Sequence, residues 1–253
     1  MKRIFQIINS NKVLFKNFTS LSILQIANYL FPLITLPYLV RVLGPEKYGL
    51  VNFAAAFAAY FTIITDYGFN LSATQEISVN RNNQTRVTEI FSSVITLKMM
   101  FFIFSSVIFS LVVLFIPQFQ EYQLLFIVTF ISVFGTALFP LWFYQGIERM
   151  NYILVITVSV RLIITVLIFV IIKTENDFIK LAALNTTAQF VIGLSGLLIV
   201  LNKFQLKYVF PKTSLLKLQI KNGWNLFLST VWINLYTTSN VFILGLFAPA
   251  NVV

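Results

Sequence analysis

The residues most capable of specific chemistry in this chain are polar and charged side chains that interrupt long apolar segments. Arg161 is the clearest case, because it lies about nine residues, or ~14 Å, into the apolar segment Tyr152–Ile172. An arginine at the centre of a membrane costs at least ~2.5 kcal/mol to insert, so it normally faces the protein interior and has a partner. Thr157 and Thr165 share its helical face, at i−4 and i+4. This pattern predicts either an anion contact in a hydrated cavity or a buried ion pair, for example with Asp66.

Three further charged residues lie near the ends of apolar segments, and each has more than one interpretation. Lys98 either extends to the head-group layer or pairs inside the protein. Asp66 either pairs with Lys98 or Arg161, or lies among the head groups. Arg41 is either a cavity cation or an interfacial anchor. All three are candidate cavity residues.

Amide side chains inside the apolar segments form a second candidate set. Each shares a helical face with hydroxyl or small residues at spacings of three and four. Helix–helix packing is the alternative for single small and hydroxyl residues, since these let membrane helices approach closely. For the amides and Arg161 together we predict a hydrated interior cavity. The amide members are Gln25 and Asn28 of the first apolar segment, Asn185 and Gln189 of the sixth, and Asn234 of the seventh.

The composition removes several classes of chemistry. The chain contains no cysteine and no histidine, which excludes a disulfide framework and removes the commonest metal ligand and general base. No Gly-rich phosphate loop of the Walker type occurs, so ATP hydrolysis is not encoded here. We therefore predict no catalytic residue, no metal site and no cofactor, and we expect any transport to be coupled to an ion gradient.

The elements that position these residues are membrane-spanning helices. The chain is 58% hydrophobic and 10% charged, with a mean hydropathy of +0.86, whereas soluble domains carry about 25% charged residues. A helix needs about 20 apolar residues to cross a hydrocarbon core, and alternating strands typical of a membrane barrel are absent from the sequence. We predict an all-α integral membrane protein with about seven transmembrane helices. They are Leu21–Val42, Leu50–Phe69, Met99–Ile116, Leu124–Tyr144, Tyr152–Ile172, Phe178–Leu201 and Trp224–Phe247.

The distribution of Lys and Arg predicts the orientation. Twelve of these residues precede the first segment or follow the second, fourth and sixth, and four lie in the opposite connections. By the positive-inside rule the N-terminus is cytoplasmic. The net charge of +10 is therefore a topology signal, with contact to anionic membrane lipids as a secondary role and no nucleic-acid partner.

The predicted organisation has four parts. Residues 1–18 form an amphipathic cytoplasmic arm, 19–201 a six-helix transmembrane bundle, 202–223 a basic amphipathic cytoplasmic linker, and 224–253 the first helix of a second bundle. A weak internal repeat supports the boundary, because Tyr38–Pro45 and Phe242–Pro249 both run from apolar residues into a proline-containing turn.

Several stretches of the sequence resemble a known family. Asn28–Gly49, Asp66–Ser78, Pro140–Glu148 and Trp224–Thr230, followed by Phe242–Phe247, look like the corresponding parts of Wzx-type O-antigen and polysaccharide flippases. These belong to the multidrug/oligosaccharidyl-lipid/polysaccharide exporter superfamily. The resemblance covers the chain from about Asn17 to Val253.

The resemblance implies a fold and a function. It implies two bundles arranged in a V around a central cavity, with alternating access. The expected activity is non-enzymatic export of undecaprenyl-diphosphate-linked oligosaccharide across the bacterial inner membrane for O-antigen or capsule biosynthesis. The expected partners are the lipid-linked oligosaccharide, membrane lipids, a polysaccharide polymerase and a chain-length regulator. Cavity cations of the family would meet the diphosphate or acidic sugars, and Arg161, Lys98 and Arg41 are the candidates here.

Two other functions remain as alternatives. A cation-coupled multidrug antiporter of the same superfamily needs a cluster of intramembrane carboxylates, and only Asp66 qualifies. A membrane polysaccharide polymerase or ligase needs a large outer loop, and the predicted outer loops are short. Flippases of this type have about twelve helices or more, so the end of this chain after the seventh suggests a truncated chain or a fragment.

Overall fold

The computed structural model describes the backbone of residues 2–247 and the side chains of residues 12–234. The regular structure of this part of the chain is helical, and no strand occurs in it, as the sequence predicts. The helices are α1 (Lys2–Asp66), α2 (Phe69–Asn80), α3 (Gln84–Phe115), α4 (Pro117–Gln120), α5 (Gln123–Leu138), α6 (Leu141–Gly146), α7 (Met150–Ile171), α8 (Phe178–Lys203) and α9 (Thr213–Phe247), with one 3-10 turn at Glu175–Asp177.

Five stretches of the described chain are long and apolar enough to cross a membrane. The first, Lys12–Asn80, has 69 residues and would extend ~100 Å as one straight helix, more than three times the thickness of a hydrocarbon core. It therefore supplies two crossings, the first two predicted segments. The other four correspond to the third to sixth predicted segments. The protein is a multi-pass membrane protein.

Gly44 reverses the direction of α1. Its backbone has φ 76° and ψ 158°, a conformation that glycine adopts without steric cost. In the first limb of α1, which precedes Gly44, Asn17 donates to the carbonyl of Glu148 (3.1 Å), and Tyr38 donates to the carbonyl of Ile172 (2.6 Å). These two contacts lie at opposite ends of α7. We call the end of the bundle at Asn17 the proximal side and the end at Gly44 the distal side. After Gly44 the chain returns to the proximal side at Asp66.

The fourth predicted crossing is interrupted. The sequence predicts one segment, Leu124–Tyr144, but α5 ends at Leu138 and the short helix α6 begins at Leu141. Pro140 explains the difference, because proline has no N–H for the helical ladder and disfavours helical conformation in the residue before it. Phe139 accordingly has an extended backbone.

The core of the distal half is aromatic. Phenylalanine rings from the second limb of α1 and from α3, α4 and α5 pack against one another, and the ring centroids of Phe109 and Phe130 lie 4.1 Å apart. A second cluster fills the proximal half around Trp142, Phe143 and Tyr144. Many large apolar side chains remain exposed on the outside of the bundle, among them Phe104 and Leu162. Such a surface is suited to lipid rather than water.

Helices α5 and α8 cross at two glycines. A Cβ atom added to Gly193 would lie 2.0 Å from the carbonyl oxygen of Gly135, and one added to Gly135 would lie 2.5 Å from the backbone of Gln189. Thr186 donates to the carbonyl of Val128 across the same interface (2.9 Å). The small residues of the sixth predicted segment thus serve close helix packing.

The distal connection after α7 is fixed by one carboxylate. Asp177 accepts hydrogen bonds from the backbone N–H groups of Lys173 and Thr174, both at 2.9 Å, and pairs with Lys180 at 2.6 Å. The bond from Lys180, followed by the two backbone bonds, lowers the pKa of Asp177 well below the usual range of an aspartate. The carboxylate therefore closes a capping box on the 3-10 turn at Glu175–Asp177, directly before α8.

Helix α9 begins before the seventh predicted apolar segment. Its first residue is Thr213, so the second half of the predicted linker is continuous with the helix, and residues 204–212 alone are non-helical there. α9 packs on the joint between α1 and α2. Tyr67 stacks on Phe227 with 4.8 Å between ring centroids, and a Cβ atom on Gly68 would lie 2.9 Å from the backbone nitrogen of Phe227.

Two sequence predictions fall partly outside the described residues. The amphipathic arm is helical from Lys2, but the side chains of residues 1–11 are not among those described. The second member of the internal repeat, Phe242–Pro249, also lies outside the described side chains. The division into four parts stays a prediction.

Candidate functional site

Arg161 lies at the middle of α7, where α7 packs against the first limb of α1. It is the twelfth of the 22 residues of that helix, about 17 Å from its start. Its Nη1 donates a short hydrogen bond to Oδ1 of Asn28. The side chain is half-buried, and Thr157, one turn earlier on the same face, is buried. The seam between α1 and α7 therefore holds a guanidinium near the middle of the membrane.

The partner of Arg161 is neutral. Among the described residues no carboxylate forms an ion pair with this guanidinium. An amide oxygen satisfies one of the five N–H donors of an arginine but leaves the positive charge uncompensated. The geometry thus leaves a cation with free donor capacity at midplane depth.

Lys98 and Asp66 form a separate, neutral pair. Nζ of Lys98 lies 2.7 Å from Oδ1 of Asp66, and the two side chains are 1% and 20% exposed. Asn70 donates to the other carboxylate oxygen at 3.2 Å. Of the alternatives left open by the sequence, the structure contains the Lys98–Asp66 pair and not an Arg161–Asp66 pair. Lys98 is inaccessible to a ligand in this conformation.

The predicted amides do not form one cluster. The structure brings only Asn28 together with Arg161. Gln25 is exposed and donates to the hydroxyl of Tyr29 at 3.2 Å. Asn185 is exposed, and Gln189 is half-buried beside the α5–α8 crossing. Asn234 donates to the carbonyl of Thr230, four residues earlier on α9 (2.8 Å).

Four hydroxyl residues that share faces with the predicted polar residues have local partners. These four donate to a backbone carbonyl one turn earlier, as serine and threonine do when helices bury them. These bonds run from Thr35 to Phe31, from Thr129 to Leu125, from Thr136 to Ser132 and from Thr230 to Leu226. They contribute no free donor to a cavity.

The face beside Arg161 is nevertheless open. On the first limb of α1, Gln25, Tyr29, Pro32 and Leu36 follow one stripe and are all exposed. Gln25 and the Tyr29 hydroxyl are polar, and Asn28 lies at the edge of this stripe. Arg41, near the distal end of the same limb, is also exposed. The stripe thus places two polar side chains, Gln25 and Tyr29, among exposed apolar ones on the limb that holds Asn28.

Sequence reasoning missed a polar contact between α2 and α9. Glu76 accepts hydrogen bonds from Gln219 (2.8 Å) and from Asn222 (2.6 Å), one on each carboxylate oxygen. The two donors lie 143 and 146 residues from Glu76 along the chain, so no local pattern in the sequence identifies them as its partners.

Comparison with known proteins assigns the family. The model of the family described as "Polysaccharide biosynthesis protein" matches residues 14–253, which is nearly the whole chain. The chain belongs to this polysaccharide biosynthesis protein family. The resemblance to flippases of the O-antigen and polysaccharide type is thereby confirmed.

Two curated proteins are similar to this chain over most of its length. A protein of Escherichia coli (strain K12) named "Putative O-antigen transporter" is 32% identical over 238 residues, covering 94% of this chain and 57% of that protein. A Shigella dysenteriae protein of the same name is 30% identical over 241 residues, covering 94% and 60%. The chain therefore spans somewhat more than half the length of these relatives. No solved structure matches the chain.

Proposed function

We propose that the protein exports an undecaprenyl-diphosphate-linked oligosaccharide across the bacterial inner membrane for O-antigen or capsule biosynthesis. It does so without covalent chemistry, by alternating exposure of a central cavity to the two sides. The N-terminus, and with it the proximal side, is cytoplasmic. Family membership and the O-antigen transporter names of the two relatives support polysaccharide export as the general activity.

The observation that carries the proposal is the uncompensated Arg161 at the α1–α7 seam. A lipid-linked diphosphate must cross the apolar core with its negative charges, and a fixed cation at half depth lowers the electrostatic cost of that passage. A guanidinium also matches phosphate oxygens through paired hydrogen bonds. We assign to Asn28 the role of holding Arg161 in place while it waits for the anion.

The other polar candidates take supporting positions in this proposal. Gln25 and Arg41 lie on the exposed stripe of α1 and would face the passing head group. Asn185, Gln189 and Asn234 lie on other helices and enter the cavity only when a second bundle encloses it. Lys98 and Asp66 hold the proximal end of α1 against the middle of α3.

The multidrug antiporter is disfavoured by the same geometry. Its mechanism needs a carboxylate free to exchange cations, and Asp66 is the single acidic residue that the sequence places within an apolar segment. Asp66 is already bound by Lys98 and Asn70.

A complementation experiment tests the proposal. The protein expressed from its complete gene is introduced into a strain that lacks its own polysaccharide flippase and carries the matching glycan pathway. We expect surface polysaccharide to return and the lipid-linked oligosaccharide accumulated in the inner membrane to decline. Drug resistance without restored polysaccharide would favour the antiporter instead. Expression of an unrelated membrane protein at equal level is the control for nonspecific effects.

A further inference from the structure

We propose that the proximal end of the bundle carries a binding pocket for the phosphate of an anionic phospholipid head group. The pocket, which we call the proximal pocket, lies between the α2–α3 turn, the α6–α7 turn and the segment that follows α8. It lies at the proximal end of α7, about 18 Å from Arg161 at midplane depth, and the proposal does not depend on the transported substrate.

The proximal pocket combines donors with an apolar floor. Its volume is about 250 Å³. Arg81, Asn82, Gln84 and Arg149 supply guanidinium and amide groups, and Phe143 and Phe204 belong to the apolar part of the wall. A phosphate ester attached to a glycerol unit has this division into an anionic and an apolar portion.

The charge of the proximal pocket is positive. Arg81 pairs with Glu148 at 2.9 Å. Arg149 is exposed, and its guanidinium has neither an ion pair nor a hydrogen bond to any residue in the part of the chain that the structure describes. Two arginines and one carboxylate give the proximal pocket a net charge of +1. The N–H donors of the Arg149 guanidinium are available to a ligand, and their planar arrangement suits a phosphate monoanion.

The turns that form the proximal pocket are conformationally strained. Glu148 and Gln205 have φ values of 56° and 52°, in the left-handed region that L-residues seldom adopt. They are two of the three described non-glycine residues with positive φ, the other being Tyr67. The carbonyl of Glu148 is held by Asn17. Backbone strain of this kind concentrates at binding sites, where the fold over-determines the geometry.

The depth of the proximal pocket matches the phosphate layer of a bilayer. α7 is 22 residues long, ~33 Å, so it spans the hydrocarbon core and places Arg149, just before its start, at the boundary. α3 is 32 residues long, ~48 Å, which exceeds the ~30 Å core, so its first residue, Gln84, lies beyond the core on the proximal side. The anions available between the level of Arg149 and the level of Gln84 are lipid phosphates. Basic pockets at this depth are typical lipid-binding sites.

Lipid titration tests the proposal. The protein, expressed from its complete gene and purified in an uncharged detergent, is titrated with dioleoyl-phosphatidylglycerol, with dioleoyl-phosphatidylcholine or with inorganic phosphate. Bound lipids are counted by native mass spectrometry. We expect saturable binding of phosphatidylglycerol by the wild type. Arg149→Gln should bind this lipid at least about tenfold more weakly, because the substitution removes one charge-assisted hydrogen bond. Arg149→Lys should fall between the two.

Matched variants separate the proximal pocket from general charge effects. Lys217→Gln removes the same charge at an exposed position of α9 outside the pocket, and it should bind like the wild type. Asn82→Asp adds a negative charge to an exposed turn without removing any contact, and it should weaken binding even if Arg149→Gln proves unstable. Equal binding of both lipids, or equal weakening by Lys217→Gln and Arg149→Gln, overturns the proposal. Competition by millimolar inorganic phosphate would instead identify a site for soluble phosphate and overturn the lipid assignment.

Discussion

Removing either partner of the Lys98–Asp66 pair should destabilise the protein, and the two single substitutions should differ in size. Loss of one partner of a buried pair costs about 3–5 kcal/mol, because the other charge stays buried and unpaired. In Asp66→Asn the stranded ammonium of Lys98 is 1% exposed, so we expect the upper end of that range. In Lys98→Met the stranded carboxylate is 20% exposed and keeps its bond from Asn70, so we expect the lower end.

The double variant Lys98→Met/Asp66→Leu should recover most of the loss, because well-packed apolar residues often replace a buried ion pair at no net cost. Unfolding by denaturant in detergent micelles, measured for wild type, both singles and the double, gives the coupling free energy. The Arg86–Glu89 pair, whose side chains are 32% and 40% exposed, is the matched control, and Arg86→Met should cost under about 1 kcal/mol.

Two outcomes would refute this reasoning. If the double variant were as unstable as the singles, the pair would not be the source of the stability. If Lys98→Met left stability unchanged but abolished polysaccharide export, Lys98 would be a substrate contact in another conformation.

Three further predictions concern helix packing, topology and pH. Gly193→Ala should sharply reduce the amount of folded protein in the membrane, since its Cβ would lie 2.0 Å from the Gly135 carbonyl oxygen; immunoblotting of membranes against wild type measures this. A cysteine at Asn82 should be shielded from an impermeant thiol reagent in intact cells whereas one at Asn176 should react, and the inverse pattern would contradict a cytoplasmic proximal side. Asp177→Asn should lower the unfolding temperature at neutral pH, because the carboxylate is stabilised by Lys180 and two backbone N–H groups. That difference is fully present above about pH 4, the unfolded pKa, and disappears as the pH falls through the lowered folded-state pKa.

The sequence was enough to predict that this is an all-α membrane protein and where its spanning segments lie along the chain, because both depend on local composition. Apolar length alone located the first six crossings, and Gly44 followed by Pro45 correctly marked the reversal between the first two. The break at Pro140 was also encoded locally, but the continuous apolar run conceals it. Trp142, Phe143 and Tyr144 are buried in the proximal core although they belong to a separate helix. Hydropathy measures the environment of a segment and not the continuity of its backbone.

The partners of the charged residues were not predictable, because they depend on how the helices are arranged. Asp66, Lys98 and Arg161 were all recognised as candidates, but the sequence allowed Asp66 to pair with either cation. Packing of α1 against both α3 and α7 decides this, placing Lys98 beside Asp66 and Asn28 beside Arg161. The proximal pocket was missed for the same reason, since it joins three turns far apart in the sequence.

Export by an Arg161→Ala variant, measured together with its abundance in the membrane, tests the central claim most directly. The variant protein is expressed from its complete gene in the flippase-deficient strain, and surface polysaccharide is divided by the amount of protein in the membrane. We expect normal abundance with export abolished, and partial export by Arg161→Lys, which keeps the charge but loses the planar fork of donors. Export by Arg161→Ala at the wild-type level per molecule would contradict the account, as would a fall in export that merely follows a fall in abundance.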